Sequence, residues 1–149
     1  MSKPSKSGRI QLVLDLAERK EKSAMEVLGR AKTYFDQQQQ QTRMLDEYRA
    51  QYLLDLKGSM TGVSSVSQLM SYQGFIQQLD QAIDQQKLVL QQAETEFERC
   101  KQAWIVCHQK TKGMGDLVAK LQAMEAAERE KKIDKMLEED FLARRRSSS

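Results

Sequence analysis

With 149 residues, 30% of them charged and only 6% aromatic, the chain has the length of one ordinary domain but lacks the residue variety of a globular core. Two cysteines support no disulfide framework and fit a reducing compartment. The formal charge of +3 is small, and its location says more than its size: Lys3, Lys6 and Arg9 stand near one end and Arg144, Arg145 and Arg146 near the other, a single basic pole if the ends meet and solubilising tails if they do not.

The only proline is Pro4, so nothing beyond it carries the residue that most strongly breaks a helix, and long helices are permitted. The opening LVLDLAERK turns charged at once, unlike the apolar block of a signal peptide, and no run of about 18 apolar residues occurs. The expectation is a soluble, cytosolic protein without a transmembrane segment.

Helix 1 is expected over about residues 9–57. Its seam of alternating three- and four-residue steps is Ile10, Leu14, Ala17, Glu21, Ala24, Leu28, Ala31, Phe35, Gln38, Thr42 and Leu45. Beyond Leu45 the register is expected to slip, because Tyr48 and Tyr52 follow by three and then four. The run Gln37 to Gln41 reads as a solvated helix face with a seam member in it. A turn is expected over about 58–65, with Gly58 suited to end one helix and Ser65-Val66-Ser67-Gln68 matching a capping box that starts the next.

Helix 2 is expected over about residues 66–142, followed by a disordered basic and serine-rich tail over 143–149. Its seam runs through Leu69, Tyr72, Ile76, Leu79, Ile83, Gln86, Leu90, Ala93, Phe97, Cys100, Trp104, Cys107, Thr111, Met114, Val118 and Leu121. Fourteen of these sixteen are apolar, against about six expected by chance, so the pattern is a coiled-coil seam. The fold class that follows is all-α: an antiparallel two-helix coiled-coil hairpin with a longer second helix, one unit over 1–149.

Folding about residue 62 sets Leu45 against Leu79, Ala31 against Ala93, Phe35 near Leu90 and Gln38 against Gln86. The two seam glutamines are placed to exchange side-chain hydrogen bonds, a device that specifies register at some cost in stability. The same pairing puts Ile10 opposite Met114, between Gly113 and Gly115, so a bend or hinge is expected where helix 1 runs out. Residues from about 116 to 142 then overhang by about 40 Å. Ile133, Met136, Leu137 and Phe141 line one side of that overhang, at spacings fit for docking onto a groove or for self-association.

No phosphate-binding glycine loop, G-x-S-x-G elbow or H-E-x-x-H motif occurs, so enzymatic activity is not expected, nor is any cofactor. Cys100, Cys107 and His108 fall short of the three or four convergent ligands that zinc requires, and the cysteines read as small seam residues. With acidic residues mixed throughout and no basic stripe, nucleic acid is not an expected partner. Near the turn, Phe75 and Ala82 flank Leu79 while Tyr48 and Tyr52 extend beyond Leu45. That apolar stripe is wider than one neighbouring helix covers; it is either a binding surface or a seal on the slipped seam.

The early DLAERK with Val27-Leu28-Gly29, the segment MLDEYRAQY and the arrangement YQGFIQQLDQAI after the loop together resemble the bacterial flagellar FliJ family, a soluble component of the flagellar type III export apparatus. The resemblance is most specific from about Gln41 to Leu90 and rests on helical architecture over 100–149. It implies an antiparallel coiled coil like the central stalk of rotary ATPases, acting between the hexameric export ATPase and the cytoplasmic domain of the membrane export gate, at the periphery of the inner membrane. The ATPase regulator and export chaperones are further implied partners. Gate-binding positions fall here on Gln41, Leu45, Tyr48 and Tyr52 and on Phe75, Leu79, Ala82 and Gln86. Position 86 departs from the family's histidine, and the pairing above places Gln86 inside the seam. ATPase or chaperone contacts are expected on Arg9, Ile133, Met136, Leu137, Phe141, Arg144, Arg145 and Arg146. The competing expectation is a stalk protein of a virulence secretion system, or a plain coiled-coil spacer.

Overall fold

A computed structural model describes residues 5–59 and 66–148 as two helices, α1 (Lys6–Ser59) and α2 (Val66–Ser147). There is no strand among the described residues, and the fold is the expected all-α pairing of two helices. Of the turn expected over about 58–65, α1 takes up the start by continuing through Gly58 to Ser59, and the remainder, with the capping role of Ser65, lies outside the described residues. Contacts divide the chain into two compact units, one made of Met1–Ser23 and Ile105–Ser149 and the other of Ala24–Trp104.

Within Ala24–Trp104 the helices run antiparallel along the expected seam, closing on Leu79, Ile83, Ala93 and Cys100 of α2 and on Gln38 and Thr42 of α1. The Gln86 amide donates to Gln38 Oε1 at 2.8 Å, with a longer approach of 3.4 Å to the Gln38 carbonyl, so the two seam glutamines do face each other. That carbonyl also accepts the Thr42 hydroxyl at 2.8 Å. Phe35, expected near Leu90, stacks on Phe97 with ring centroids 5.8 Å apart and planes 4° from parallel.

Beyond Leu45 the register does not slip. The half-covered residues are Arg49, Tyr52, Leu53 and Leu56, of which Arg49, Tyr52 and Leu56 keep the three-four stepping, while Tyr48 is exposed. A charged residue occupies the seam position here, and its guanidinium is satisfied by Asp80.

In the other unit Leu14 and Ala17 of α1 are buried, as is Val118 of α2. Ser5 caps α1: its hydroxyl accepts the Gly8 N–H at 3.1 Å and its carbonyl the Arg9 N–H at 3.1 Å, so the helix starts ahead of the expected residue 9. Ser7 then meets Glu125, whose carboxylate accepts the Ser7 hydroxyl at 2.6 Å and the Ser7 amide at 3.1 Å. This corrects the expected overhang. Pairing about residue 62 ends the contact near residue 116, whereas a long acidic side chain reaching the positive end of α1 carries it to Glu125. Gly113 and Gly115 therefore lie where α1 still runs alongside, and α2 stays helical through both.

Every described residue from 126 onward is exposed. The expected disordered tail is also corrected, since α2 continues through Arg144–Arg146 to Ser147. Arginine is a good helix former, and positive charge suits a helix C-terminus. Arg144 pairs with Asp140 one turn earlier, and the Ser147 and Ser148 hydroxyls donate to the Arg144 and Arg145 carbonyls at 3.0 and 3.2 Å.

No large side chain among the described residues is completely buried. Two helices cover only one stripe of each other, so each seam side chain keeps a flank in solvent.

Candidate functional site

Near the turn-side end of Ala24–Trp104, Tyr48, Tyr52, Tyr72 and Phe75 form one aromatic cluster. Tyr52 lies at its centre, 4.5 Å from the Phe75 ring and 5.9 Å from Tyr72, while Tyr48 meets Phe75 edge-on at 6.3 Å. Burial pushes the Tyr52 phenol above its ordinary value, with Tyr72 and Tyr48 adding to the effect. Tyr48 is 53% exposed and borders two open grooves. One, of about 710 Å³, is lined by Gln41, Met44, Leu45, Glu47, Tyr48 and Gln51. The other, of about 500 Å³, is lined by Tyr48, Tyr52, Ser67, Gln68, Ser71, Tyr72 and Phe75.

The eight positions expected to bind the gate thus divide. Gln41, Leu45, Tyr48, Tyr52 and Phe75 line this surface. Ala82 is exposed on α2, about two turns beyond Phe75. Leu79, at 8% exposure, is a core residue, and the Gln86 amide is engaged with Gln38.

The second expected set lies in the other unit. Ile133, Met136, Leu137 and Phe141 are each more than half exposed, on the stretch of α2 that follows Glu125. Arg9, in the first turns of α1, is not brought to Arg144–Arg146: Ser7 sits at Glu125, and about 28 Å of helix separates Glu125 from Arg144. The single basic pole does not form.

The seam of this unit also carries charge. The Glu21 carboxylate lies 2.6 Å from His108 Nδ1, and the hydrogen bond it accepts there holds the Glu21 carboxyl below its ordinary range. The Ser7 hydroxyl, followed by the Ser7 amide, does the same for Glu125.

Residues that sequence reasoning did not single out are Met44, Tyr72, Arg49 and Asp80. Tyr72 was placed in the seam without a binding role, and its spacing of three from Phe75 was the available signal. Among the described residues no group of histidine, cysteine and acidic side chains is arranged to hold a metal ion. No helix among them is long and apolar enough to cross a membrane.

Comparison with known proteins covers both surfaces. The family model described as "Flagellar FliJ protein" matches residues 5–148. The Flagellar FliJ protein of Salmonella typhi is 30% identical over 97 residues, and that of Escherichia coli K12 is 29% identical over 97 residues. Each alignment covers 65% of this chain and 66% of the relative, a little under two thirds of the relative's own length. With a match that runs through both helices, the chain belongs to the flagellar FliJ protein family.

Proposed function

We propose that this chain links the flagellar export ATPase ring to the cytoplasmic domain of the membrane export gate, and engages the ATPase regulator and export chaperones, through two separate surfaces. Family membership gives the coarser part: a component of flagellar protein export that is not itself an enzyme. The finer reading rests on one observation: exposed apolar side chains are scattered along both helices, but two stretches in different units stand out, the grooved aromatic cluster at Tyr48 and the run Ile133, Met136, Leu137 and Phe141.

The first group, around Tyr48 and Phe75, combines tyrosine rings with bordering grooves, the composition of an interface hot spot, and is assigned to the gate. The second, Ile133 to Phe141 with Arg144–Arg146 beyond, is an exposed helix face ending in positive charge, and is assigned to the ATPase and chaperones. On this reading attachment to the inner membrane is peripheral, through the gate.

The test compares two variants in pull-down with the gate domain and in ATPase stimulation. Tyr48→Ala with Phe75→Ala weakens gate binding by roughly tenfold and spares stimulation. Reversal of Arg144–Arg146 to glutamate does the opposite. Equal loss of both activities in either variant removes the two-surface model.

A further inference from the structure

The sequence of α1 permits two seams beyond Leu45. Stepping by three and four selects Tyr48 and Tyr52; stepping by four and three selects Arg49 and Tyr52. The apolar choice is Tyr48, yet Arg49 is half-covered and Tyr48, touching Phe75 only edge-on, is the more exposed of the two. What distinguishes the two is on α2. Asp80, next to the seam residue Leu79, accepts Arg49 Nε at 2.5 Å through Oδ1 and faces the terminal guanidinium nitrogen at 3.5 Å through Oδ2.

We propose that Arg49 and Asp80 are a positioning pair that sets the rotation of α1 on α2, turning Tyr48 outward as a docking residue while Tyr52 is held against Tyr72 and Phe75. The side chains are 36% and 47% exposed, so the pair adds little to stability; its effect is on which of two adjacent residues enters the seam. A planar fork meeting a carboxylate fixes direction in a way that a lysine does not. Neighbouring residues on a helix point about 100° apart, so a rotation that admits Tyr48 to the seam withdraws its ring from both grooves. As a statement about docking, the proposal rests on the gate reading above; as a statement about rotation, it does not.

Nitration of the full chain by tetranitromethane, read by mass spectrometry, tests the rotation. In the unaltered chain Tyr48 reacts ahead of the covered Tyr52. Arg49→Ala lowers the Tyr48-to-Tyr52 ratio by roughly fivefold with helical circular dichroism retained, and Arg49→Lys lowers it less. Arg49→Asp with Asp80→Arg restores the ratio, in an Asp46→Asn background because a carboxylate at 49 would repel Asp46 one turn away. A ratio unchanged in both Arg49→Ala and Arg49→Lys overturns the proposal.

Titration of the same variants with the purified gate cytoplasmic domain tests docking. Loss with Arg49→Ala and recovery in the exchanged pair support it; unchanged gate binding alongside a changed ratio overturns the docking role. Failure of the gate domain to bind the unaltered chain sinks the proposed function, while the nitration ratio still decides the pair.

Discussion

Replacing Gln86 by leucine isolates the value of the glutamine pair in the seam. Gln38 is 8% exposed, and its Oε1 accepts the Gln86 amide at 2.8 Å. Gln86→Leu leaves that oxygen without its donor in a place nearly closed to water, at a cost of about 1–3 kcal/mol. The new leucine is half-covered and returns about 1 kcal/mol of apolar burial. The net is a loss of about 1 kcal/mol, and for a chain of this size a melting temperature lower by about 2–4 °C.

Gln38→Leu together with Gln86→Leu removes the orphaned acceptor and adds apolar area on both helices, so the double variant gains about 2 kcal/mol and melts about 4–8 °C higher. Opposite signs for the single and double variants are the expected outcome of thermal melts followed by circular dichroism at 222 nm. The gain comes with lost specification of register, seen as a broader distance distribution between spin labels at positions 24 and 100. If Gln86→Leu alone raises the melting temperature by half as much as the double variant, the effects are additive and the hydrogen bond does not couple the helices.

Two further outcomes concern the other unit. The fold holds Glu125 below its ordinary value of 4.5, so its contribution is complete above that pH and fades as the pH falls through the lower native value. Hydrogen exchange of the first α1 turn, corrected for intrinsic rates, shows protection falling with acid in the unaltered chain and losing that dependence in Glu125→Gln; an identical dependence in both contradicts the contact. At Gly113 and Gly115 an added Cβ meets nothing within 4 Å, so Gly113→Ala and Gly115→Ala each stabilise by about 0.5–1 kcal/mol. A lower melting temperature in either variant would reveal a backbone requirement for glycine.

Periodicity carried most of the fold. All sixteen seam positions read on α2 are covered or half-covered, and so are all eleven on α1, because burial along one helix partner imposes the stepping directly on residue type. The glutamine pair was legible for the same reason, as two polar interruptions at matching heights.

Arg49 was not legible. A charged residue reads as solvent-facing, and only Asp80, on the other helix, makes it a seam residue. The extent of α1 alongside α2 was misplaced because counting about a turn assumes equal progress on both helices, whereas Ser7 meets Glu125 about two turns beyond its counted partner. Of the candidate surfaces, aromatic composition marked Tyr48, Tyr52 and Phe75. The seam stepping, not composition, placed the neighbouring Leu79 and Gln86 in the helix pairing.

The stretch of α2 after Glu125 keeps its winding with no second helix of the described residues covering it. A groove that receives it meets a backbone already fixed, and the conformational entropy of about 1–2 kcal/mol per residue that a coil loses on docking is not charged to the encounter. On the proposed reading, attachment strength then depends on a few exposed side chains, Ile133 to Phe141.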